Sequence, residues 1–403
     1  MRLSERVKQI APAKTLEMAA KSHEMRAQGI DVISMSLGEP DMDTPEHIRN
    51  AAHEAIESGW SHYGPIPGIP SLREAVAEYQ NRQSADCMDD HQTQQADSIV
   101  FTGEDVIVSV GAKMAIYNAI QTIVNPGDEV IIPMPSWVSY QEMVKLAVGR
   151  VVAVQTKYEQ NYCLTPEELR AVLTERTRML ILCSPNNPTG SIYSREQLQA
   201  LVDVLRDFPQ VTILSDEIYS CLSYDAQATT MSVFQEFADR LVIINGVSKA
   251  YAMTGYRIGW MLSKNKTFVA ACTRLQGQQL TCATMVAQRA AEAALRGDQT
   301  CVEEMKAVFA ERRELICKMA KAIPGWKFRN PQGAFYLFPD VSELGGGDVV
   351  AERLLEEAHV AVVSGAAFGC PECIRLSYAI STEQIMEAMR RIVNCYKGHL
   401  WTF

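Results

Sequence analysis

The sequence predicts an α/β protein: a large domain whose mainly parallel seven-stranded sheet is flanked by helices, and a smaller α+β domain formed by the N-terminal arm and the C-terminal segment. Between residues 106 and 263, short apolar runs alternate with segments of helical period, which is typical of crossover units between parallel strands. Each run is largely apolar, as expected of strands covered on both faces. The predicted strands are Val106–Val110, Glu129–Pro133, Val151–Val154, Met179–Cys183, Val211–Ser215, Leu241–Asn245 and Ile258–Leu262.

Helical patterns separate and follow these strands. Ala112–Val124 and Arg195–Arg206 have the period of crossover helices, and two long helical patterns cover residues 266–295 and 299–322. The last part of the chain mixes both kinds of element, which is typical of an α+β lobe. Its predicted elements are the strands Phe335–Phe338, Val360–Val363 and Ile374–Tyr378 and the helices Val349–Ala358 and Glu383–Tyr396.

The N-terminal region contains a helical pattern over residues 16–25 and loop-forming residues at 38–45. A helix is predicted over Glu46–Ser58, with Thr44 as its N-cap and Pro45 in its first position. Residues 81–98 are polar and lack an apolar period, which predicts an exposed loop. We therefore predict three regions. They are an N-terminal arm that forms part of the small domain (1–45), a large domain (46–290) and a small C-terminal domain (291–403).

Composition excludes several classes of function. The chain has 403 residues and a formal charge of −10, so it lacks the excess of Lys and Arg that neutralises nucleic-acid phosphates. It contains no apolar run of about 18 residues, the length that predicts a transmembrane helix. The N-terminal segment has no apolar stretch typical of a signal peptide. We expect neither a nucleic-acid nor a membrane partner.

The eleven cysteines, an odd number scattered along the chain, predict reduced thiols in a cytoplasmic protein. The only Cys-x-x-Cys motif is Cys370-Pro-Glu-Cys373. Such a motif can be a redox pair or half of a zinc site. No second pair of Cys or His stands at metal-binding spacing, so we interpret the motif as two loop cysteines and expect no metal.

Two charged residues follow predicted strands. Lys249 comes after the run LVIING, and a lysine beside small residues at a strand end can be desolvated, which lowers its pKa and makes it a candidate Schiff-base former. Asp216 ends the run VTILSD, where a carboxylate points into the ligand crevice of an open α/β sheet. It could pair with a ring N–H cation, or it could simply cap the next helix.

Two further segments follow strands. Gly111, Ala112 and Lys113 begin a helix, where free backbone N–H groups can bind a phosphate, although any tight βα turn looks similar. The loop Ser184-Pro-Asn-Asn-Pro-Thr-Gly190 contains Asn187, whose amide both donates and accepts. Such an amide suits a phenolic oxygen together with a substrate carboxylate.

The segments SPNNPTG, SDEIY and SKAYAMTGYRIGW, in that order, resemble the class I aminotransferases of the fold-type I pyridoxal-phosphate superfamily. The segments SLGEPDMDTPEHI, HYGPIPGIPSLREAV, GAFYLFPD and CIRLSYA are similar to the bacterial-type (Iβ) aspartate aminotransferase branch. The resemblance extends over roughly residues 3–396. It implies ping-pong transamination between an amino acid and a 2-oxo acid, with pyridoxal 5'-phosphate (PLP) as cofactor.

The resemblance also implies the roles of individual residues. Lys249 would hold PLP covalently and then move the proton. Asp216 would accept the ring N–H, and Arg375 would bind the substrate α-carboxylate together with Asn187 and the backbone of Gly38. The other cofactor-binding positions implied are Gly111, Ala112, Lys113, Trp137, Asn187, Tyr219, Ser248, Arg257 and, from a neighbouring subunit, Tyr63.

Simpler interpretations exist for single members of this set. Trp137 could be a core or surface aromatic residue and Tyr219 a core tyrosine with a bonded hydroxyl. Arg257 and Arg375 could form ordinary surface ion pairs. The functional interpretation depends on their occurrence together with Lys249.

Substrate preference is less specified. A dicarboxylate needs a cation for its distal carboxylate, which some relatives take from the opposite subunit in the region where this chain has residues 276–282. In the Iβ branch that this chain resembles, the distal carboxylate is held instead by a lysine at the position of Lys113 and by small polar residues of the N-terminal arm, here residues such as Thr15. The resemblance also places Trp137 at the substrate. Relatives often have Ser where this chain has Ala13. We expect aspartate and 2-oxoglutarate, with prephenate, aromatic or aliphatic substrates as alternatives.

Two other classes remain as alternatives. A PLP-dependent lyase, of the C–S or aminocyclopropane-carboxylate type, would share the fold and the lysine. A non-catalytic regulator on the same fold would usually add a DNA-binding helical domain, and we expect none. The resemblance further implies a homodimer whose active sites are shared, with Tyr63 and the 276–282 segment contributing to the neighbour's site.

Overall fold

The computed structural model describes residues 2–11, 14–88, 98–225 and 227–398. Its N-terminal part is mainly helical and leads into the first strand of the central sheet. Thr44 is not the N-cap of α3, because its hydroxyl donates to the Ala252 carbonyl (2.7 Å) and Pro45 takes the N-cap position. The elements are α1 (Glu5–Lys8), α2 (Lys14–Ala27), β1 (Ile33–Ser34), α3 (Glu46–Glu57) and α4 (Pro70–Asp86).

The predicted exposed loop at 81–98 is wrong at its start. Helix α4 continues to Asp86 and buries Gln80 and Ser84, whose side chains reach the Ser232 hydroxyl. The buried face of the last turn of α4 is polar, so the sequence shows no apolar period there. Residues 89–97 of the predicted loop lie outside the described residues.

Alternating strands and helices form the central part of the chain, as predicted. The elements are β2 (Val106–Val110), α5 (Gly111–Ile123), β3 (Glu129–Met134), α6 (Ser139–Leu146), β4 (Arg150–Gln155), α7 (Pro166–Val172), β5 (Thr177–Cys183), α8 (Arg195–Leu205), β6 (Thr212–Asp216), β7 (Leu241–Gly246), α9 (Val247–Ala250) and β8 (Ile258–Leu262).

These strands form one seven-stranded sheet in the order β2-β8-β7-β6-β5-β3-β4. All neighbours pair in parallel except β8, which is antiparallel to both β2 and β7. Both faces are covered: Ile213 of β6 packs into one buried cluster, and Leu214 packs into the other. The six parallel strands therefore end at one edge of the sheet.

The helices after the sheet differ from the predicted pattern in one place. The pattern over 266–295 is two helices, because Leu280–Thr284 interrupts it and Thr281 has a positive φ of 67°. No glycine or proline marks this break in the sequence. The helices are α10 (Lys266–Gln279), α11 (Met285–Arg296) and α12 (Thr300–Ala320).

The C-terminal part is an α+β lobe with its own core. The parallel pairing of Ile33 with Val360 joins the N-terminal strand to this lobe. Ile33 and Met35 lie in the same core cluster as residues of α12 and α14, which confirms the smaller α+β unit. The elements are β9 (Tyr336–Leu337), α13 (Gly347–Glu357), β10 (Val360–Ala361), β11 (Val363–Ser364), β12 (Ile374–Ser377) and α14 (Thr382–Gly398).

Across the described ranges, every helix is too short or too polar to span a bilayer. Within the same ranges, no group of three or more His, Cys, Asp or Glu residues could hold a metal ion. The residue boundaries of the three predicted regions stay a prediction.

Candidate active site

A cavity of about 340 Å³ lies where the parallel strands end and where the C-terminal lobe and the Ser36–Glu39 segment meet them. This is the edge at which an open α/β sheet binds ligands. It brings together most of the residues predicted from the sequence. Those lining it are Gly38, Ala112, Lys113, Trp137, Asn187, Asp216, Tyr219, Ser248, Lys249, Arg257 and Arg375.

Three predicted residues lie elsewhere or are not fully described. Gly111 is outside the cavity lining, next to the lining residue Arg257. Tyr63 is outside the cavity lining and 88% exposed. Thr15 lies in the first turn of α2, and its side chain is outside the described part of the chain. Ala13 is also outside the described residues.

Lys249 follows β7 in the short helix α9 and points into the cavity. Its Nζ donates to the Gly38 carbonyl at 2.6 Å. Burial lowers the pKa of Lys249 to about 8; the nearby Glu39 opposes this shift, and Arg257 and Arg375 add to it. An amine with this pKa can accept and release a proton near neutral pH.

Asp216 ends β6 and is 3% exposed. Its Oδ2 accepts from the Tyr140 hydroxyl (2.6 Å), and its Oδ1 accepts from the Ile218 backbone N–H (3.2 Å). Burial raises the pKa of Asp216 to about 6, while these two donors and Lys249 lower it. The carboxylate is thus poised to bind a cationic N–H donor.

Arg375 lies on β12, on the opposite side of the cavity. Its Nη1 donates to Asn187 Oδ1 (3.0 Å) and its Nη2 to the Ser36 carbonyl (2.7 Å). The guanidinium carbon lies 4.5 Å from the Tyr336 ring centre and 4.8 Å from that of Phe368. Its buried Nε has no partner among the described residues.

Tyr219 and Tyr336 join the two sides of the cavity through a 2.8 Å contact between their hydroxyls. Burial raises the pKa of both tyrosines, so both are neutral donors at physiological pH. A Cβ at Gly38 would lie 2.3 Å from the Tyr336 hydroxyl. Only glycine therefore lets the Gly38 backbone approach this closely.

Gly111 and Arg257 form another corner of the site. Gly111 has a φ of +75°, and a Cβ there would lie 2.6 Å from Arg257 Nη2. Gly259 brings β8 against the start of α5, since a Cβ at Gly259 would lie 2.2 Å from the Ala112 nitrogen. Arg257 is exposed and donates to the Thr254 carbonyl at 2.8 Å. The simple surface ion-pair interpretation therefore fits neither Arg257 nor Arg375, as no carboxylate partner of either occurs among the described residues.

Lys113 and Trp137 form the outer wall. Lys113 Nζ lies 4.9 Å from the Trp137 ring centre, and burial, followed by Arg257, lowers the pKa of Lys113. Trp137 packs edge-on against Tyr140, with ring centres 5.3 Å apart. The outer wall is therefore a cation held against an aromatic face.

Sequence reasoning missed Tyr140 and Tyr336. Tyr140 stands three residues after Trp137 at the start of a helix, so the spacing could have placed both side chains on one face. Tyr336 lies in the two-residue strand β9, and its contact with Gly38 links positions 298 residues apart, which no local pattern reveals.

The family model described as "Aminotransferase class I and II" matches residues 30–392. The chain belongs to this family. The enzyme is therefore a PLP-dependent aminotransferase that transfers an amino group between an amino acid and a 2-oxo acid, which confirms the predicted fold, activity and cofactor.

Named relatives match over nearly the whole chain. The aspartate aminotransferase of Bacillus sp. (strain YM-2) is 42% identical over 398 residues, covering 97% of this chain and 98% of the relative. The aspartate/prephenate aminotransferase of Nitrosomonas europaea is 38% identical and covers 98% and 99%. The solved aspartate aminotransferase of Thermus thermophilus with maleate has a TM-score of 0.91 at 39% identity, covering 98% of this chain and 100% of that one.

Proposed function

We propose that this aminotransferase uses aspartate or glutamate as amino donor and a dicarboxylic 2-oxo acid as acceptor. The observation that carries the proposal is the pair of cations on separate walls of one cavity. Arg375 lies on the C-terminal lobe, and Lys113 lies on α5 against Trp137. A dicarboxylate needs one cation for each carboxylate.

The residues present fit PLP. Lys249 supplies an amine of lowered pKa, and Asp216 supplies a buried carboxylate for the protonated ring nitrogen. Arg257 and the space kept by Gly111 suit the phosphate, with Ala112 and Ser248 beside them. Asn187 and Tyr219 would hold the phenolic oxygen, and Trp137 would lie against the ring.

When bound, PLP supplies an electron sink for the negative charge that develops at the donor's Cα. Asp216 serves this chemistry by staying ionised, which the hydroxyl of Tyr140 and the Ile218 N–H favour. Lys249 Nζ accepts the Cα proton and later releases it. Its pKa of about 8 suits both directions of that transfer near neutral pH.

Arg375 orients the donor. Asn187 and the Ser36 carbonyl already hold two of its nitrogens, so the guanidinium plane is fixed before a substrate arrives. Each of these two nitrogens carries a second N–H, and Arg375 lines the cavity, so donors remain for the α-carboxylate. Fixing this carboxylate fixes the direction of the Cα–H bond, and such orientation lowers barriers by several kcal/mol (up to roughly 7–11 in model reactions).

Lys113 would bind the distal carboxylate. The relatives named above carry aspartate in their names, and the Thermus thermophilus enzyme was solved with maleate, which is a dicarboxylate. The names of two relatives, both aspartate/prephenate aminotransferases, support prephenate as a second acceptor of this enzyme. The aromatic face of Trp137 on the outer wall is compatible with the six-membered ring of prephenate.

We further propose a homodimer with shared active sites. Tyr63 is 88% exposed, and its neighbour Gly64 donates its N–H to the Cys282 sulfur (3.4 Å). Exposed Tyr63 and Thr281 therefore lie on one surface that a second copy could cover. Within the 276–282 segment, Gln276 donates its side-chain N–H groups to the Ile66 and Val108 carbonyls of its own chain, so we propose that the later residues of the segment contribute to the neighbour's site. We also propose a cytoplasmic location, which the odd number and the scatter of the eleven cysteines along the chain support.

The substrate proposal is tested with Lys113→Ala and two donors. We expect KM for aspartate to rise about tenfold, because a partly exposed charge pair contributes about 1 kcal/mol or somewhat more. Alanine has no distal carboxylate and serves as the matched control, so its kcat/KM should stay within about twofold. Equal effects on both donors, or activity with alanine and none with aspartate in the unmodified enzyme, would reject the dicarboxylate proposal.

A further inference from the structure

Cys370 and Cys373 form a tight turn immediately before β12, the strand that carries Arg375. The Cys373 N–H donates to the Cys370 carbonyl at 3.0 Å, closing the turn. This closure places the two side chains on the same side, with their sulfurs 3.4 Å apart. The two thiols are therefore close enough to bond after a movement of a little more than 1 Å, since the S–S bond is about 2.05 Å long.

We propose that Cys370 and Cys373 are a reversible disulfide site whose oxidation is transmitted to Arg375. The oxidant is an organic disulfide of the glutathione type. Cys370 thiolate attacks one sulfur of the oxidant and releases one thiol. Cys373 then loses its proton and its sulfur displaces the second thiol, leaving the Cys370–Cys373 bond. Two protein thiols are oxidised and one external disulfide is reduced to two thiols, so atoms and electrons balance.

The order of attack follows from accessibility. Cys370 is partly exposed, whereas Cys373 is 1% exposed and packs among Phe338, Val363 and Phe368. An external disulfide can reach only the outer sulfur. The buried thiol, already in contact with its neighbour, is positioned to resolve the mixed disulfide.

The charges around the two cysteines govern the rate of their oxidation. Cys370 Sγ lies 3.5 Å from the Glu372 carboxylate, and the Tyr162 hydroxyl lies 3.8 Å from Cys373 Sγ. The contact with Cys373, burial and Glu372 all raise the pKa of Cys370, so thiolate is scarce at neutral pH. Because the thiolate is the nucleophile, oxidation should be slow at pH 7 and accelerate as pH rises.

The turn is connected to Arg375 through the packed loop that precedes it. The Gly365 N–H donates to the Cys373 carbonyl (2.7 Å), and the Cys370 N–H donates to the Gly365 carbonyl (2.9 Å). The ring of Phe368, within this loop, packs on the Arg375 guanidinium at 4.8 Å. Packed interiors transmit small displacements, so closing the S–S bond should shift Phe368 against Arg375.

The experiment titrates the full-length holoenzyme with mixtures of oxidised and reduced glutathione, quenches with acid and alkylates the remaining thiols in denaturant. We expect two of the eleven cysteines to become protected, a peptide mass lower by two hydrogens that contains Cys370 and Cys373, and full reversal by excess reduced glutathione. The oxidised enzyme should show a several-fold higher KM for the amino donor with a smaller change in kcat.

Cys370→Ser should abolish both the protection and the change in KM. Cys301→Ser, which alters another partly exposed thiol, should change neither. A thiol count unaffected by oxidised glutathione, or protection that persists in Cys370→Ser, would overturn the site. A disulfide that forms without changing KM would reject its transmission to Arg375. The KM measurement rests on the substrate-binding role proposed for Arg375, whereas the mass measurement of the disulfide does not depend on that role.

Discussion

Asp216 and Arg375 are equally buried, each 3% exposed, on opposite walls of the same cavity, yet they are held differently. Both oxygens of Asp216 accept from donors on its own wall. Arg375 uses two nitrogens within the protein and keeps its buried Nε without a partner among the described residues. Because Arg375 also lines the cavity, a bound carboxylate can accept its remaining N–H groups.

The two walls of the cavity therefore differ in how fully their polar groups are bonded within the protein. The Asp216 wall belongs to the sheet and is complete before any ligand binds. The Arg375 wall belongs to the C-terminal lobe, and in the proposed function the substrate completes it. Changes at Asp216 should therefore act on cofactor binding and on the chemical step, whereas changes at Arg375 should act on substrate binding.

The largest effect is expected where the two walls meet. Lys249→Ala removes the group that we propose moves the proton, and kcat should fall by about 10⁴-fold. The variant should still retain PLP through dialysis, as measured by the absorption of the cofactor. The Asp216 wall is unchanged in this variant, and so are Gly111 and Arg257, which we propose bind the phosphate. Activity within tenfold of the unmodified enzyme would show that another base moves the proton.

Arg375→Ala should lower kcat/KM for aspartate by about 10³-fold, because charge-assisted hydrogen bonds contribute roughly 1.5–3 kcal/mol each. Most of this loss should appear in KM, and the dissociation constant of PLP should change little. A loss confined to kcat, or loss of PLP with unchanged KM, would contradict the division into two walls.

The Asp216 wall can be tested by the stability of the apoenzyme against pH. The pKa of Asp216 is about 6 in the folded protein and roughly 3.9 in an unfolded chain, so the folded state binds its proton more tightly. Stability from this group should therefore decrease by about 3 kcal/mol as pH rises from about 4 to 6, and level off above. Urea unfolding of the apoenzyme and of Asp216→Asn measures this difference.

Tyr140→Phe sharpens the same test. Losing the hydroxyl donor raises the pKa of Asp216 further, so the loss of stability should extend above pH 6. The affinity for PLP should fall at neutral pH for the same reason. An unchanged pH profile in Tyr140→Phe would mean that the hydroxyl does not tune this carboxylate.

The smallest effect is expected at Gly38. A Cβ there would lie 2.3 Å from the Tyr336 hydroxyl, so Gly38→Ala should displace the segment that lies against Lys249. We expect about a tenfold loss in kcat/KM, since misplacing groups at the site by about 1 Å can lower the rate by up to about 10²-fold. The double variant Gly38→Ala/Tyr336→Phe should recover part of it. No recovery would place the cause in the backbone of Gly38.

The sequence revealed the Asp216 wall better than the Arg375 wall, for a physical reason. Apolar runs fix the strands, and the residues that follow parallel strands meet at one edge, so Asp216, Asn187 and Lys249 could be brought together by pattern alone. Arg375 and Gly38 could be linked to them only through family resemblance. Their contacts with Ser36 and Tyr336 join distant parts of the chain.

The errors have a common origin. The end of α4 was predicted as loop because its buried face is polar, with Gln80 and Ser84 bonded to Ser232. The break before α11 was missed because Thr281 adopts a positive φ without being glycine. At the end of α4, tertiary contacts override local preference, and at Thr281 the backbone adopts a conformation that its residue type does not predict.

The central claim is that Lys249 is the residue that binds PLP covalently, and hydride trapping tests it most directly. The holoenzyme is treated with borohydride, digested, and analysed by mass spectrometry. We predict that the peptide containing Lys249 gains the mass of the reduced cofactor adduct, and that no other lysine peptide does. An unmodified Lys249 peptide, or an adduct on a different lysine, would contradict the account.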